Sequence, residues 1–446
     1  MSEIPGTWVN TNLKTVANLV TGNTPSTKTP EYYGGSVPFV KPGDLDSADP
    51  ITVTEQQLTE LGAQQSRLVR AGSTLISCIG NLGKVGFAGV PLATNQQINS
   101  AEFHREIVDD RYGYYLCKTL KSWMERESSA TTIAILNKGK FGEAPFPLAP
   151  LPEQKRIANK LDTVLTRVDA VNTRLARVAP LLKRFRQSVL AAATSGRLTE
   201  DWRTSHLNVA PHTAMLLLNL CEKITDGEHI SPAKTQHGVP LLSAKNVAKD
   251  GLSFDDTHFV SEEDAKVFWL RCRPELGDIL ICSRGTIGRS ALVETNRPFC
   301  LMGTVILLKP KASLVHSKFF SLAIAAPKTQ KIMQGASGAT AVSALYLKDI
   351  KRIEIDVPEL EEQTEIVRRV ETLFAFADRL EARLAQAQTA ATRLTPALLA
   401  KAFRGELVPQ DPNDEPAAEL LRRLQAERAT APKASAGRGR KAVVQG

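Results

Sequence analysis

One pattern occurs twice in this chain and limits what the rest can fold into. Leu151 to Leu198 and Leu360 to Leu407 align without a gap at an offset of 209 residues, with 15 identities over 48 positions. Each copy opens Leu-x-Glu-Gln, with Glu153 and Gln154 in the first and Glu362 and Gln363 in the second. Each closes on the same small and apolar residues, Ala193, Gly196 and Leu198 against Ala402, Gly405 and Leu407. Between these ends runs a heptad seam. In the first copy it is Ile157, Leu161, Val164, Val168, Val171, Leu175, Val178 and Leu182; in the second it is Ile366, Val370, Leu373, Ala377, Leu380, Leu384, Ala387 and Ala391.

A strict 3.5-residue period places one apolar stripe on each helix, and such a stripe needs a partner. A single copy reads as an ordinary amphipathic helix. Two copies in register point to each other as partners, and alanines at 377, 387 and 391 would allow close backbone approach. A seam from Ile157 to Leu182 spans roughly 39 Å at 1.5 Å per residue, a ruler between whatever is attached to its ends. Pro180 and Pro396 fall late in the two copies and predict a kink or break near each.

The two stretches that precede the helices share an order of signals. Residues 1–150 read as mixed α/β with short strands punctuated by Gly, Pro, Asn and Thr. Val37-Pro38-Phe39-Val40 begins a strand, Leu58 to Arg67 has helical character, and Tyr112 to Glu127 has helical spacing. Gly72 to Gly89 forms a hairpin with a polar turn at Asn81. In residues 203–357, Val239-Pro240-Leu241-Leu242 echoes the first of these, and Gly277 to Val293 echoes the hairpin. A helix over Phe319 to Met333 leads to Gly335–Thr340, the counterpart of Ser128–Thr132. The chain is thus globule, helix, globule, helix. After Val408, Asp411 to Pro416 caps a short helix, Ala417 to Ala429, and the Ala/Gly/Lys/Arg-rich end from Ala431 to Gly446 reads as disordered.

With 446 residues the chain divides into two to four domains. The net charge of +9 is compatible with a polyanionic partner. It is unevenly spread, however, since residues 1–150 carry a net −1 and residues 203–357 a net +4. If the first globule meets nucleic acid, it does so through a local cluster or with charge supplied by a partner. No apolar run is long enough to span a membrane, and the N-terminus lacks a signal pattern. The six cysteines, at 78, 117, 221, 272, 282 and 300, contain no CxxC pair and read as free thiols of a cytoplasmic protein.

Catalytic patterns are missing. Gly80-Asn-Leu-Gly83-Lys84-Val85 lacks the spacing and hydroxyl of a phosphate loop and reads as a hairpin turn. His229 and His237 with Glu228 fit no common metal spacing. No Asn-Pro-Pro-aromatic stretch and no Pro-Asp opening of a nuclease carboxylate motif occurs, so no residue is assigned to catalysis or to a metal. What remains suits the reading of bases. Arg can bridge guanine O6 and N7, and Asn or Gln adenine N6 and N7. Arg284, Thr286 and Arg289 occupy the second hairpin turn, and Asn81 and Lys84 the first. Lys41, Asn137, Lys138 and Lys140 add phosphate-type donors.

The chain resembles the DNA-specificity subunit of type I restriction-modification enzymes. The residues that carry the resemblance are Leu151-Pro-Glu-Gln154 through Asp162, Lys183-Arg-Phe-Arg-Gln187 and Gly196-Arg-Leu-Thr-Glu-Asp-Trp202, with a degenerate second copy from Leu360 to Leu407. The resemblance covers nearly the whole chain and implies an α+β architecture. Two similar mixed α/β target-recognition domains, 1–150 and 203–357, would be joined by helical regions 151–202 and 358–411 that form an intramolecular antiparallel coiled coil, followed by a tail, 412–446. It further implies that each globule reads one half of a split asymmetric site on double-stranded DNA. Two methyltransferase subunits would dock on the helices, and motor-nuclease subunits would complete the complex. Catalysis would lie on those chains, with S-adenosylmethionine, ATP and magnesium bound there and no cofactor here. Two other classes stay open: a self-contained modification enzyme, for which no methyl-donor loop is found, and a coiled-coil scaffold without DNA specificity, which leaves the twin hairpins unexplained.

Overall fold

The structure, a computed structural model, describes residues 4–47, 49–128, 133–206, 209–229, 235–248, 251–336 and 344–430. The tail from Ala431 to Gly446 and most of the Ser128–Thr132 and Gly335–Thr340 segments lie outside the described residues. The chain divides into two compact units. One comprises residues 1–174 and 388–446, the other residues 175–387.

In the first unit Thr74-Leu-Ile-Ser77 is buried at every position, as a strand covered on both faces must be. It lies inside a four-stranded antiparallel sheet in the order Ala17–Thr21, Ile98–Phe103, Thr74–Ser77, Val85–Phe87. A second sheet runs Gln57–Leu58, Tyr33–Val40, Leu92–Thr94, Leu68–Val69, with Phe39 opposite Ala93 in a parallel pairing. Val9–Asn12 pairs antiparallel with Pro145–Leu148, tying the start of the globule to its end.

The second unit repeats this plan. Ile279-Leu-Ile-Cys282 is the fully buried strand, in the order Cys221–Asp226, Val305–Pro310, Ile279–Cys282, Ser290–Leu292. Val239–Leu242 lies between His258–Val260, antiparallel, and Cys300–Leu301, parallel. Thr213–Leu216 pairs with Glu354–Val357 as the closing ribbon.

The repeats are two long helices, Leu151–Thr194 and Leu360–Ala402. Each unit shows them running antiparallel. In the first unit Ile157, Leu161 and Leu165, early in one helix, share a core with Leu399 and Ala402, late in the other. In the second unit Val189 and Ala193, late, share a core with Ile366, Val367 and Val370, early. Arg186 lies over the Phe374 ring and pairs with Asp378 and with Glu381, the latter at 3.2 Å. Of the seam residues, Ile157, Leu161, Val168, Leu182, Ile366, Val370, Ala377, Leu384 and Ala391 are buried. Val164, Leu175, Val178, Leu373 and Leu380 are half-buried, and Val171 and Ala387 are exposed.

Local readings differ from the structure in four places. The helix expected over Phe319–Met333 is two, Ser317–Ala325 and Pro327–Ala336, because Ala326 before the proline is extended and Pro327 starts a new helix. The helix expected over Leu58–Arg67 is confined to Glu60–Gln64, because Leu58 is held in a strand and the Thr59 hydroxyl caps the helix by accepting from the Gly62 N–H. Tyr112–Glu127 is two helices, Asp110–Cys117 and Lys121–Glu127. The Thr119 and Leu120 N–H groups bond three residues back, to Leu116 and Cys117, and tighten the chain between them. Neither Pro180 nor Pro396 breaks its helix; each forfeits one backbone bond that the long neighbouring ladder outweighs. The last helix, Ala417–Thr430, begins where expected.

Candidate nucleic-acid interface

The two hairpins are the same backbone with different side chains. In each, two glycines of positive φ shape the turn, Gly80 and Gly83 in the first unit and Gly285 and Gly288 in the second. A Cβ at Gly80 or Gly285 would meet nothing within 4 Å, so conformation, not space, calls for glycine there. The closing bonds also match: the Gly83 N–H donates to Ser77 O at 3.0 Å and the Gly288 N–H to Cys282 O at 3.0 Å. Asn81 therefore corresponds to Thr286, and Lys84 to Arg289. Asn81, Thr286 and Arg284 are exposed at their turns, and Lys84 and Arg289 are half-buried.

The basic pair latches each hairpin to a neighbouring loop. Arg289 donates from Nη2 to the Ala244 carbonyl at 2.7 Å, while its Nε is buried without a partner. Lys84 lies 3.8 Å from the Asp46 carboxylate. These loops correspond as well, since the Lys41 N–H donates to Asp44 Oδ2 at 2.7 Å and the Ser243 N–H to Asn246 Oδ1 at 3.0 Å. Lys41 is exposed on the first of them.

A second segment joins each hairpin from far along the chain. Ile79 bridges Ile135, and Arg284 bridges Ala344. The Leu136 N–H donates to Cys78 O and the Leu345 N–H to Ser283 O, both at 2.9 Å. In the first unit this brings Asn137, Lys138 and Lys140, all exposed, beside the turn that carries Asn81. Asn137 caps the helix Lys138–Gly142 by accepting the Lys140 N–H at 2.8 Å, and Lys140 Nζ pairs with Glu127 at 3.2 Å. In the second unit the corresponding residue is Tyr346, which is 55 % exposed with Lys348 Nζ 5.7 Å from its ring centroid. Reading for Arg, Asn and Lys overlooked Tyr346. The repeat offset of 209 residues, which sets it opposite Asn137, is the signal that finds it.

The opening Glu-Gln of each long helix fastens the helix to its own globule. Gln154 accepts the Asp109 N–H at 2.9 Å and donates to the carbonyls of Ile107 and Ala149. Gln363 does the same with the His316 N–H at 2.7 Å and the carbonyls of Leu314 and Pro358. Glu153 accepts from the Trp8 indole at 3.0 Å and the Gln410 amide at 2.6 Å. Glu362 accepts at a single oxygen from Thr199 at 2.6 Å, from Arg203, and from His212 at 3.1 Å, while its other oxygen is buried without a partner.

A family model described as the type I restriction modification DNA specificity domain matches residues 5–179 and 269–388. The chain belongs to that family. The EcoBI type I restriction enzyme specificity subunit of Escherichia coli is 29 % identical over 458 aligned positions, covering 96 % of this chain and 93 % of the relative. The EcoKI specificity subunit of Escherichia coli strain K12 is 32 % identical and covers 68 % of each chain. Among solved structures, a chain of a type I R-M system described for its complex assembly and conformational transition superposes with a TM-score of 0.73 at 19 % identity, covering 91 % of this chain and all (100 %) of that one. The HsdS subunit from Thermoanaerobacter tengcongensis gives a TM-score of 0.58 at 18 % identity, covering 91 % of this chain and 98 % of its own. These two likenesses show a shared fold.

In this member of the family the described residues hold no group of three or more His, Cys, Asp or Glu able to bind a metal. His229 is turned to Asp226 at 2.8 Å. All six cysteines are buried, and burial pushes the thiols of Cys78, Cys221, Cys272 and Cys300 up to about 12, so these remain protonated at neutral pH. Among the described residues no helix is long and apolar enough to cross a membrane.

Proposed function

We propose that this chain is the sequence-reading subunit of a type I restriction-modification enzyme. Each globule reads one half of a split, asymmetric site on double-stranded DNA. The observation that carries this reading is the pair of matching hairpins with unlike tips: the same turn pattern presents Ile79 and Asn81 in one unit and Arg284 and Thr286 in the other. A duplicated frame with divergent, solvent-facing polar residues suits two different base sequences. The chain itself is not catalytic. Methyl transfer, with S-adenosylmethionine, belongs to two docked copies of the methyltransferase subunit, and ATP- and magnesium-dependent cleavage to motor-nuclease subunits, in the cytoplasm.

The helices supply a docking surface. About half the seam is only partly covered within the chain: Val164, Val178, Leu373 and Leu380 are half-buried, and Val171 is 44 % exposed. An apolar strip of this kind accepts further helices. The test is reconstitution. Alone, the purified chain should transfer no methyl group from S-adenosylmethionine; with the methyltransferase subunits added, methylation should appear at a bipartite site. Methyl transfer by the chain alone, or methylation by the complex without sequence preference, would overturn the proposal.

A further inference from the structure

Several cations of the second unit are engaged. Lys245 pairs with Asp256 at 2.8 Å, Lys309 with Asp278 at 2.8 Å, Lys328 with Asp356 at 2.8 Å, and Arg289 is tied to a carbonyl. Arg284 is exposed at the tip and makes no ion pair with a described residue. Its backbone bridges Ala344, two residues before Tyr346. Tyr346 is held in place, since its carbonyl accepts the Asp349 N–H at 3.0 Å and the Ile350 N–H at 3.1 Å, yet its ring stands in solvent beside the fully packed Leu345. A large aromatic presented on ordered backbone, next to a free guanidinium, costs little entropy to bring against a ligand.

The same position in the first globule carries different chemistry. Ile135, which bridges Ile79, is 43 % exposed, and Ile133, two residues before it, is 56 % exposed. Asn81 is exposed with its side chain clear of the turn bonds, whereas Asn137 Oδ1 is engaged by Lys140 and leaves only its amide N–H groups to donate. Apolar groups pack against the thymine methyl, and the amide of Asn matches adenine N6 and N7; the fork of Arg matches guanine O6 and N7.

We infer that in each globule the hairpin turn and the junction bridged to it form one base-reading edge. Arg284 with Tyr346 reads a guanine and the base step beside it in the second half-site. Asn81, Ile133 and Ile135 read A·T pairs in the first, with Asn137 adding a donor beside them. This inference rests on the DNA-reading function proposed above. It assigns Tyr346, Ile133 and Ile135 to specificity, and it makes the composition of the two half-sites unequal.

The experiment uses the full chain assembled with its methyltransferase subunits and a panel of duplexes carrying every single-base change in the methylated site. Arg284→Ala should relax one G·C position of the second half-site by roughly 5- to 150-fold. Arg284→Lys keeps the charge but loses the fork, and should relax the same position while leaving the salt dependence unchanged. Tyr346→Ala should relax an adjacent position of that half-site, with Tyr346→Phe closer to wild type. Asn81→Ala and Ile135→Ala should relax only A·T positions of the first half-site. Variants that melt with wild type yet keep its full preference, or that weaken binding evenly across the panel, overturn the inference and leave the function standing. Relaxation of an A·T position by Arg284→Ala overturns the base assignment. A wild-type complex with no sequence preference overturns the function itself.

Discussion

Glu153 and Glu362 hold the same place in the repeat, both buried, yet they are satisfied by opposite chemistry. Around Glu153 the donors are neutral, the Trp8 indole and the Gln410 amide. Burial raises its pKa, and these bonds, with Arg156 nearby, only partly oppose the rise. Around Glu362 burial pushes in the same direction, but hydrogen bonds from Thr199, His212 and Arg203 outweigh it, and the carboxyl is held below its ordinary value. The comparison teaches that the repeat preserves a buried acceptor at the helix start, while the segment that caps it is free to change. In the first unit the caps come from Trp8 and from the exit of the second long helix, in the second from the exit of the first long helix.

The comparison is tested first where the two units should behave alike. Gln154→Ala and Gln363→Ala each deprive a part-buried N–H and two carbonyls of their partner, and each should cost about 1–3 kcal/mol. Hydrogen exchange at Asp109 in one variant and His316 in the other reads the loss, and a large effect in only one unit breaks the equivalence. Next comes the place where they should differ. Glu362→Gln leaves Arg203 and His212 facing a neutral amide, and should destabilise its unit by about 2 kcal/mol. Glu153→Gln should stay within about 1 kcal/mol of wild type, because its partners are neutral. Comparable losses in denaturant melts of the two variants would remove the contrast.

The latches should divide more mildly. Arg289→Ala empties a half-buried site and should cost about 1 kcal/mol. Lys84→Ala removes a longer, partly exposed pair and should shift stability by less than about 0.5 kcal/mol. The smallest effect is in pH. The lowered Glu362 contributes stability that is present above its ordinary value of 4.5 and lost as pH falls through its lower folded value. The raised Glu153 contributes stability that is complete below 4.5 and lost as pH rises through its higher folded value. Exchange protection, corrected for intrinsic rate, should therefore increase around Gln410 as pH drops from 7 toward 4.5, with no matching gain around Thr199. Parallel profiles would contradict the opposite signs.

The long helices and their mutual pairing were legible because a 3.5-residue period over eight seam positions has few other solutions, while their antiparallel sense came only from the family resemblance. The twin globules were legible as an order of strands and glycine turns. The short helices were not, since a hydroxyl cap at Thr59 and a tightened turn at Thr119 act locally and leave no period. The reading edge was half legible. Arg284 and Asn81 stand out as polar residues beside turn glycines, but the linear order gives only the repeat offset that sets Tyr346 opposite Asn137, and not the contact of either junction with its hairpin. That contact is made by backbone bridges across some sixty residues, Ile79 to Ile135 and Arg284 to Ala344.

The Gln154 and Gln363 fastenings also constrain how such a chain can change in length. Each fixes the rotational setting of a helix against its own globule at one end. One inserted residue would turn everything beyond it by about 100°, and the seam would leave its mate. Insertion or loss of a matched heptad in both helices keeps the setting and adds or removes roughly 10 Å. Seven residues added to or removed from both helices is therefore the change of length that leaves the seam on its mate, while three or four require local overwinding or unwinding of the coil.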